Sequence, residues 1–135
     1  MDIELTTAIS LIELYHTQYA QTDALWGYFG TVTLAILAFT IGADRATKSF
    51  REAGTIVGGY LLFCTGNFSA LSKAQLQLRE FAKHAMEAAQ SARIPLTELE
   101  PFSVENLSIF YWIVVSVVCI GILIITWLRR KENAA

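Results

Sequence analysis

Glu13-Leu14-Tyr15-His16 sets a carboxylate and an imidazole one helical turn apart. Di-iron bundles hold metal with this Glu-x-x-His spacing, but they need a second such pair and further glutamates. The other histidine, His84, follows Glu80 by four residues and precedes Glu87 by three, which is the reverse order. Both clusters therefore read as solvated polar faces, and no metal site is expected. Cys64 and Cys119 have no C-x-x-C partner and no ligand company. Both fall in apolar stretches, where a free cysteine packs as a small apolar side chain. The chain carries no glycine-rich phosphate loop, no zinc spacing and no Ser/His/Asp arrangement with a scaffold. The expectation is a protein that is not an enzyme, with no catalytic residues and no cofactor.

The elements explain why chemistry is scarce. Of 135 residues, 54% are hydrophobic and 16% charged, against roughly 25% charged in soluble domains. Apolar stretches at residues 24–43, 54–71 and 107–128 are each near the roughly 20 residues that cross a bilayer as a helix. No lysine or arginine precedes Arg45, and the earlier charges are Asp2, Glu4, Glu13, Asp23 and, next to Arg45, Asp44. Basic residues favour the cytoplasmic side. The loop at residues 44–53, with Arg45, Lys48 and Arg51, and the tail at 129–135, with Arg129, Arg130 and Lys131, are thus expected inside. The N-terminus is expected outside, with no signal peptide ahead of it. Trp26, Tyr28 and Phe29, Phe110, Tyr111 and Trp112, and Trp127 read as interfacial belts. The expected location is a membrane, the bacterial inner membrane in this reading. A net charge of −2 gives no reason to expect nucleic acid as a partner.

The second stretch is the weakest span. Gly54, Gly58, Gly66 and Ala70 fall on one stripe at steps of four, through Leu62. Small residues at such spacing let another helix approach closely, which drives association in lipid. Thr65, Asn67 and Ser69 add polar groups near its outer end, and Asn67 is the strongest candidate for a role there. No Asp, Glu, Lys, Arg or His lies in any stretch, which argues against a proton relay or ion-coupled transport.

Two segments outside the stretches have helical patterning. Residues 1–22 read as an amphipathic helix, with Leu5, Ala8, Ile9, Ile12, Tyr15 and Tyr19 on one face. Residues 71–93 hold neither glycine nor proline, and Leu71, Ala74, Leu78, Phe81, Ala85 and Ala88 form a three-four seam. This helix should continue the second span, project about 30 Å and end at Pro95. A linker at 94–106 then leads back to the third span, with Ser103 as N-cap. The projecting helix can bury its seam against residues 3–20, a second copy or another protein.

The expected fold class is an all-α membrane protein: three transmembrane helices, an amphipathic N-terminal helix and a long outer extension of the second span. This plan of three spans, N-terminus out and basic C-terminus in, is similar to that of the three-span phage holins, in topology only. Two functions fit it. One is a self-associating protein that perturbs or permeabilises the membrane, as a lysis or antiviral defence effector. In that case several copies would bring Thr65, Asn67 and Ser69 around a shared wet path. The alternative is an accessory or assembly subunit of a larger membrane complex. The expected partners are the lipid bilayer and either a second copy or another membrane protein.

Overall fold

The computed structural model describes residues 2–95 and 103–134. They form three helices: α1, Asp2–Gly42; α2, Phe50–Ser91; and α3, Val104–Ala134. A 3-10 turn, Asp44–Thr47, joins the first two. No strand occurs among the described residues. Two helices, α1 and α3, are long and apolar enough to cross a membrane. α2 does not meet that measure, because its apolar half carries Thr65, Asn67 and Ser69 and its other half is charged. The fold is therefore all-helical with two such helices, which is coarser than the expected three spans.

Helix ends follow local chemistry. α1 runs through the amphipathic segment and the first apolar stretch without a break, and Gly27 and Gly30 do not interrupt it. At its end Ala43 turns extended, at φ −109° and ψ 108°. α2 ends on a left-handed residue, Arg93 at φ 56°, two positions before Pro95. The Ile94 N–H donates to Ala89 O at 2.8 Å, the six-to-one bond that closes a helix around a left-handed residue. The linker expected at 94–106, with Glu98 and Glu100, lies for residues 96–102 outside the described residues. Ser103 begins α3: its Oγ accepts the Asn106 N–H at 3.2 Å, as an N-cap does.

Buried positions on every helix recur at steps of eleven. Thr22 and Phe29 repeat at Thr33 and Thr40, Leu71 and Leu78 at Ala82 and Ala89, and Tyr111 and Val115 at Ile122 and Thr126. Eleven residues over three turns match a nearly straight helix, unlike the heptad. This shifts the α2 seam. Leu71, Ala74, Leu78 and Ala85 are buried as the three-four spacing suggests, but Ala82 and Ala89 complete the row. Phe81 and Ala88 lie half-buried at its side.

The chain divides into two compact units. One comprises residues 1–26 and 70–107. Here the start of α1 packs on the second half of α2 around Tyr15, Leu78 and Ala82, with Phe81 against them. Gln18 Nε2 donates to Ala74 O at 3.3 Å. Alanine dominates the α2 side of this core, so the contacts are close but bury little apolar area per residue. Of the N-terminal face read from sequence, Ala8 and Tyr15 are buried and Ile12 half-buried, whereas Leu5, Ile9 and Tyr19 are exposed.

The other unit comprises residues 27–69 and 108–135. Its exterior is more apolar than that of a water-soluble domain, and its interior mixes Phe29, Tyr60, Tyr111, Val115 and Ile122 with polar side chains. Thr33, Thr40, Thr47, Asn67 and Thr126 are buried, while Leu34, Phe39, Leu62, Ile113, Val117, Ile120 and Ile124 are exposed. An apolar exterior of this extent suits lipid, and polar groups inside it must find partners within the protein.

Candidate functional site

The second unit holds two buried polar clusters and, over residues 54–66, an open helix face. The first cluster centres on Tyr111 of α3. Its hydroxyl donates to Cys64 O of α2 at 2.8 Å and accepts from Asn67 Nδ2 at 3.3 Å. The Tyr111 ring lies 4.4 Å from Phe29 of α1 and 5.2 Å from Phe68, centroid to centroid. Below it, Thr33 Oγ1 and Tyr60 OH share a hydrogen bond of 2.8 Å. All three helices are thus linked by side chains that an apolar solvent cannot satisfy.

The second cluster lies where α1 ends. The last carbonyls of a helix lack intrahelical donors, and here Arg129 of α3 supplies them. Its Nη1 donates to Thr40 O at 2.9 Å and Ala43 O at 3.5 Å, and its Nη2 donates to Ile41 O. Nη1 also donates to Thr47 Oγ1 at 2.5 Å. A cation at a helix C-terminus also complements the helix dipole. Thr40 and Thr126 close their hydroxyls onto Ile36 O and Ile122 O, four residues back, at 2.7 and 2.8 Å.

The open face belongs to α2. Gly54, Gly58, Leu62, Gly66 and Ala70 are all exposed. A Cβ added at Gly54, Gly58 or Gly66 would meet nothing within 4 Å. The stripe therefore packs on no other part of the described chain. α2 turns a different face inward, through Ala53, Tyr60, Cys64 and Asn67.

The structure divides the polar trio. Thr65 is exposed and its hydroxyl donates to Leu61 O at 2.8 Å. Ser69 is exposed as well, whereas Asn67 is buried against Tyr111. Of the topology-setting residues, Arg45, Lys48, Arg51, Arg130 and Lys131 are exposed and Arg129 is partly buried. Sequence reasoning missed Tyr111 as a hub, because a belt tyrosine and a hydrogen-bonded core tyrosine look alike in sequence. It also missed Arg129 as a cap, because a charge count treats neighbouring cations alike.

Elsewhere, His84 lies 3.9 Å from both Glu80 and Glu87 on an exposed face, and His16 packs edge-on against Tyr15 at 5.6 Å. No group of three or more His, Cys, Asp or Glu side chains converges on a metal position among the described residues. The arrangement can hold helices together, present a helix surface and meet lipid. No family model, curated protein or solved structure matches the chain.

Proposed function

We propose that this chain is a small, non-enzymatic integral membrane protein that self-associates through the open face of α2, and that its assemblies perturb the membrane. The reading takes α1, the first half of α2 and α3 as three spans, with the N-terminus outside and the basic C-terminus cytoplasmic. It is supported by the apolar exterior of the second unit. α2 contributes Tyr60, Cys64 and Asn67 to that interior while exposing Leu61 and Leu62.

The observation that carries self-association is the exposed small-residue stripe Gly54, Gly58, Gly66 and Ala70; its glycines, like every other glycine of the chain, have nothing within 4 Å of an added Cβ. Small residues contribute to association in lipid only when a second helix reaches them, and among the described residues none does. A second copy, related by symmetry and presenting the same stripe, is the simplest occupant. Thr65 and Ser69 are exposed beside the stripe, so assembly brings hydroxyls of several copies together.

One observation favours the second reading, an accessory or assembly subunit of a larger complex. Asn67, the most polar side chain in the apolar half of α2, is engaged within the chain. Hydroxyls alone then remain to line a wet path, and the open face serves a foreign helix equally well.

The test follows from the same geometry. A Cβ at Gly58 or Gly66 meets nothing within the described chain, both positions are exposed and leucine improves helix propensity, so a loss of assembly in Gly58→Leu or Gly66→Leu reports on intermolecular contact. Cross-linking in membranes should show the wild type as oligomers and both variants as monomers, with Val117→Leu on the exposed face of α3 unchanged. A potential-sensitive dye should show depolarisation by the wild type and not by the glycine variants. A wild type that is monomeric in membranes sinks the self-association reading. Oligomers that leave the potential intact sink membrane perturbation and favour the accessory role. Orientation is checked with single cysteines at Glu87 and Asn133 in a Cys64→Ser, Cys119→Ser background. Only the former should react with an impermeant reagent in intact cells.

A further inference from the structure

We infer that the end of the second unit formed by the α1–α2 turn and the C-terminus of α3 is a docking surface for anionic phospholipid headgroups. The sequence carries two basic clusters, residues 45–51 and 129–131, far apart along the chain. The fold makes them one surface. Arg129 ties α3 to the turn through Ile41 O and Thr47 Oγ1. The next residue, Arg130, then stacks over the Phe50 ring at the start of α2, 4.7 Å from its centroid. Lys131 lies over the Trp127 ring at 5.2 Å.

The roles of the cations differ. Arg129 is consumed by backbone carbonyls. Arg45, Lys48, Arg51, Arg130 and Lys131 are exposed, and among the described residues no carboxylate pairs with them. The carboxylates on these segments are Asp44, Glu52 and Glu132, so the end is net positive. Phe50 and Trp127 are exposed aromatics beside the charges. The amphipathic Trp127 ring rests at headgroup level, and cations just beyond it meet the lipid phosphates. Stacking on the rings holds Arg130 and Lys131 at the boundary, so little side-chain freedom remains to be lost on binding. The partner that fits is a monoanionic glycerophospholipid of the leaflet on that side. This inference rests on the membrane reading above and is independent of the α2 stripe.

The experiment uses the full chain reconstituted in phosphatidylcholine vesicles. Flotation first establishes incorporation. Spin-labelled phosphatidylglycerol and phosphatidylcholine then report which lipid is immobilised at the protein. Each cation near an anionic surface contributes roughly a fivefold preference at low ionic strength, reduced by screening. The wild type should therefore select phosphatidylglycerol by about tenfold or more, and molar salt should reduce this towards unity. Lys48→Gln, Arg51→Gln, Arg130→Gln and Lys131→Gln together should abolish the selection. Lys73→Gln with Lys83→Gln, which removes as many as two cations outside this surface, should leave it intact. Glycerophosphate at millimolar concentration should not compete.

A chain that does not float fails the membrane reading itself. A chain that floats but shows no selection, or equal selection after the four substitutions, overturns only the lipid surface. Competition by glycerophosphate assigns the site to a soluble phosphate and overturns the lipid assignment. The wild-type measurement alone decides the matter if the fourfold variant does not insert.

Discussion

Replacing Tyr111 with Phe removes one oxygen and leaves the ring stack on Phe29 and Phe68 in place. The oxygen serves two bonds, one to Cys64 O at 2.8 Å and one from Asn67 Nδ2 at 3.3 Å. Cys64 O keeps its place in the helix ladder, but Asn67 loses its partner while remaining buried. Interhelical hydrogen bonds in membranes average about 0.6 kcal/mol and reach about 1.7. A stranded buried donor costs about 1–3 kcal/mol. Tyr111→Phe should thus destabilise by about 2 kcal/mol. Asn67→Leu should cost less, about 1 kcal/mol, because Tyr111 still donates to Cys64 O and leucine fills a similar volume. The double variant strands nothing. It should be more stable than Tyr111→Phe alone, with a coupling of about 1–2 kcal/mol of opposite sign to the single effects. Reversible SDS unfolding in mixed micelles, followed by near-ultraviolet circular dichroism, measures all three. Strict additivity, or an Asn67→Leu cost equal to that of Tyr111→Phe, would refute the pairing and return Asn67 to a role between copies.

Three shorter predictions follow from other parts of the fold. Arg129→Gln should destabilise by about 2–3 kcal/mol in the same assay, since charge-assisted bonds to the α1 carbonyls and Thr47 are lost. Arg129→Lys should recover part of this, having one ammonium in place of a fork; equal loss in both would argue against the cap. Arg93→Gly should raise stability by up to about 1 kcal/mol, because glycine adopts φ 56° without the Cβ penalty. A decrease would show that the arginine side chain contributes more than its backbone costs. Ser103→Ala should cost about 1 kcal/mol by leaving the Asn106 N–H uncapped, read as faster amide exchange in the first turn of α3.

Much of the architecture was legible along the chain. The long apolar stretches read as helices, because a helix satisfies its own backbone in an apolar setting, and the charged run at 71–93 does so because it holds strong helix formers and neither glycine nor proline. The N-cap serine likewise acts on its immediate neighbours, so local chemistry sufficed to find it. Leu71, Ala74, Leu78 and Ala85 of the three-four seam were readable, but Phe81 and Ala88 were each one position off the buried row. The eleven-residue step puts Ala82 and Ala89 in their place, because heptad and hendecad readings differ by only one position there. The sequence alone also determined the two basic clusters and the glycine stripe, since both are patterns of residue type at fixed spacing. Which way each face turns was decided only by the tertiary structure. Thr65, Asn67 and Ser69 are neighbours in sequence, yet about 100° of rotation per residue separates exposed hydroxyls from a buried amide. Arg129 and Arg130 are adjacent cations, yet one caps α1 while the other stacks on Phe50. Rotation about a helix axis costs nothing until another helix packs against it, so residue type sets what each side chain can do and packing sets which partner it meets.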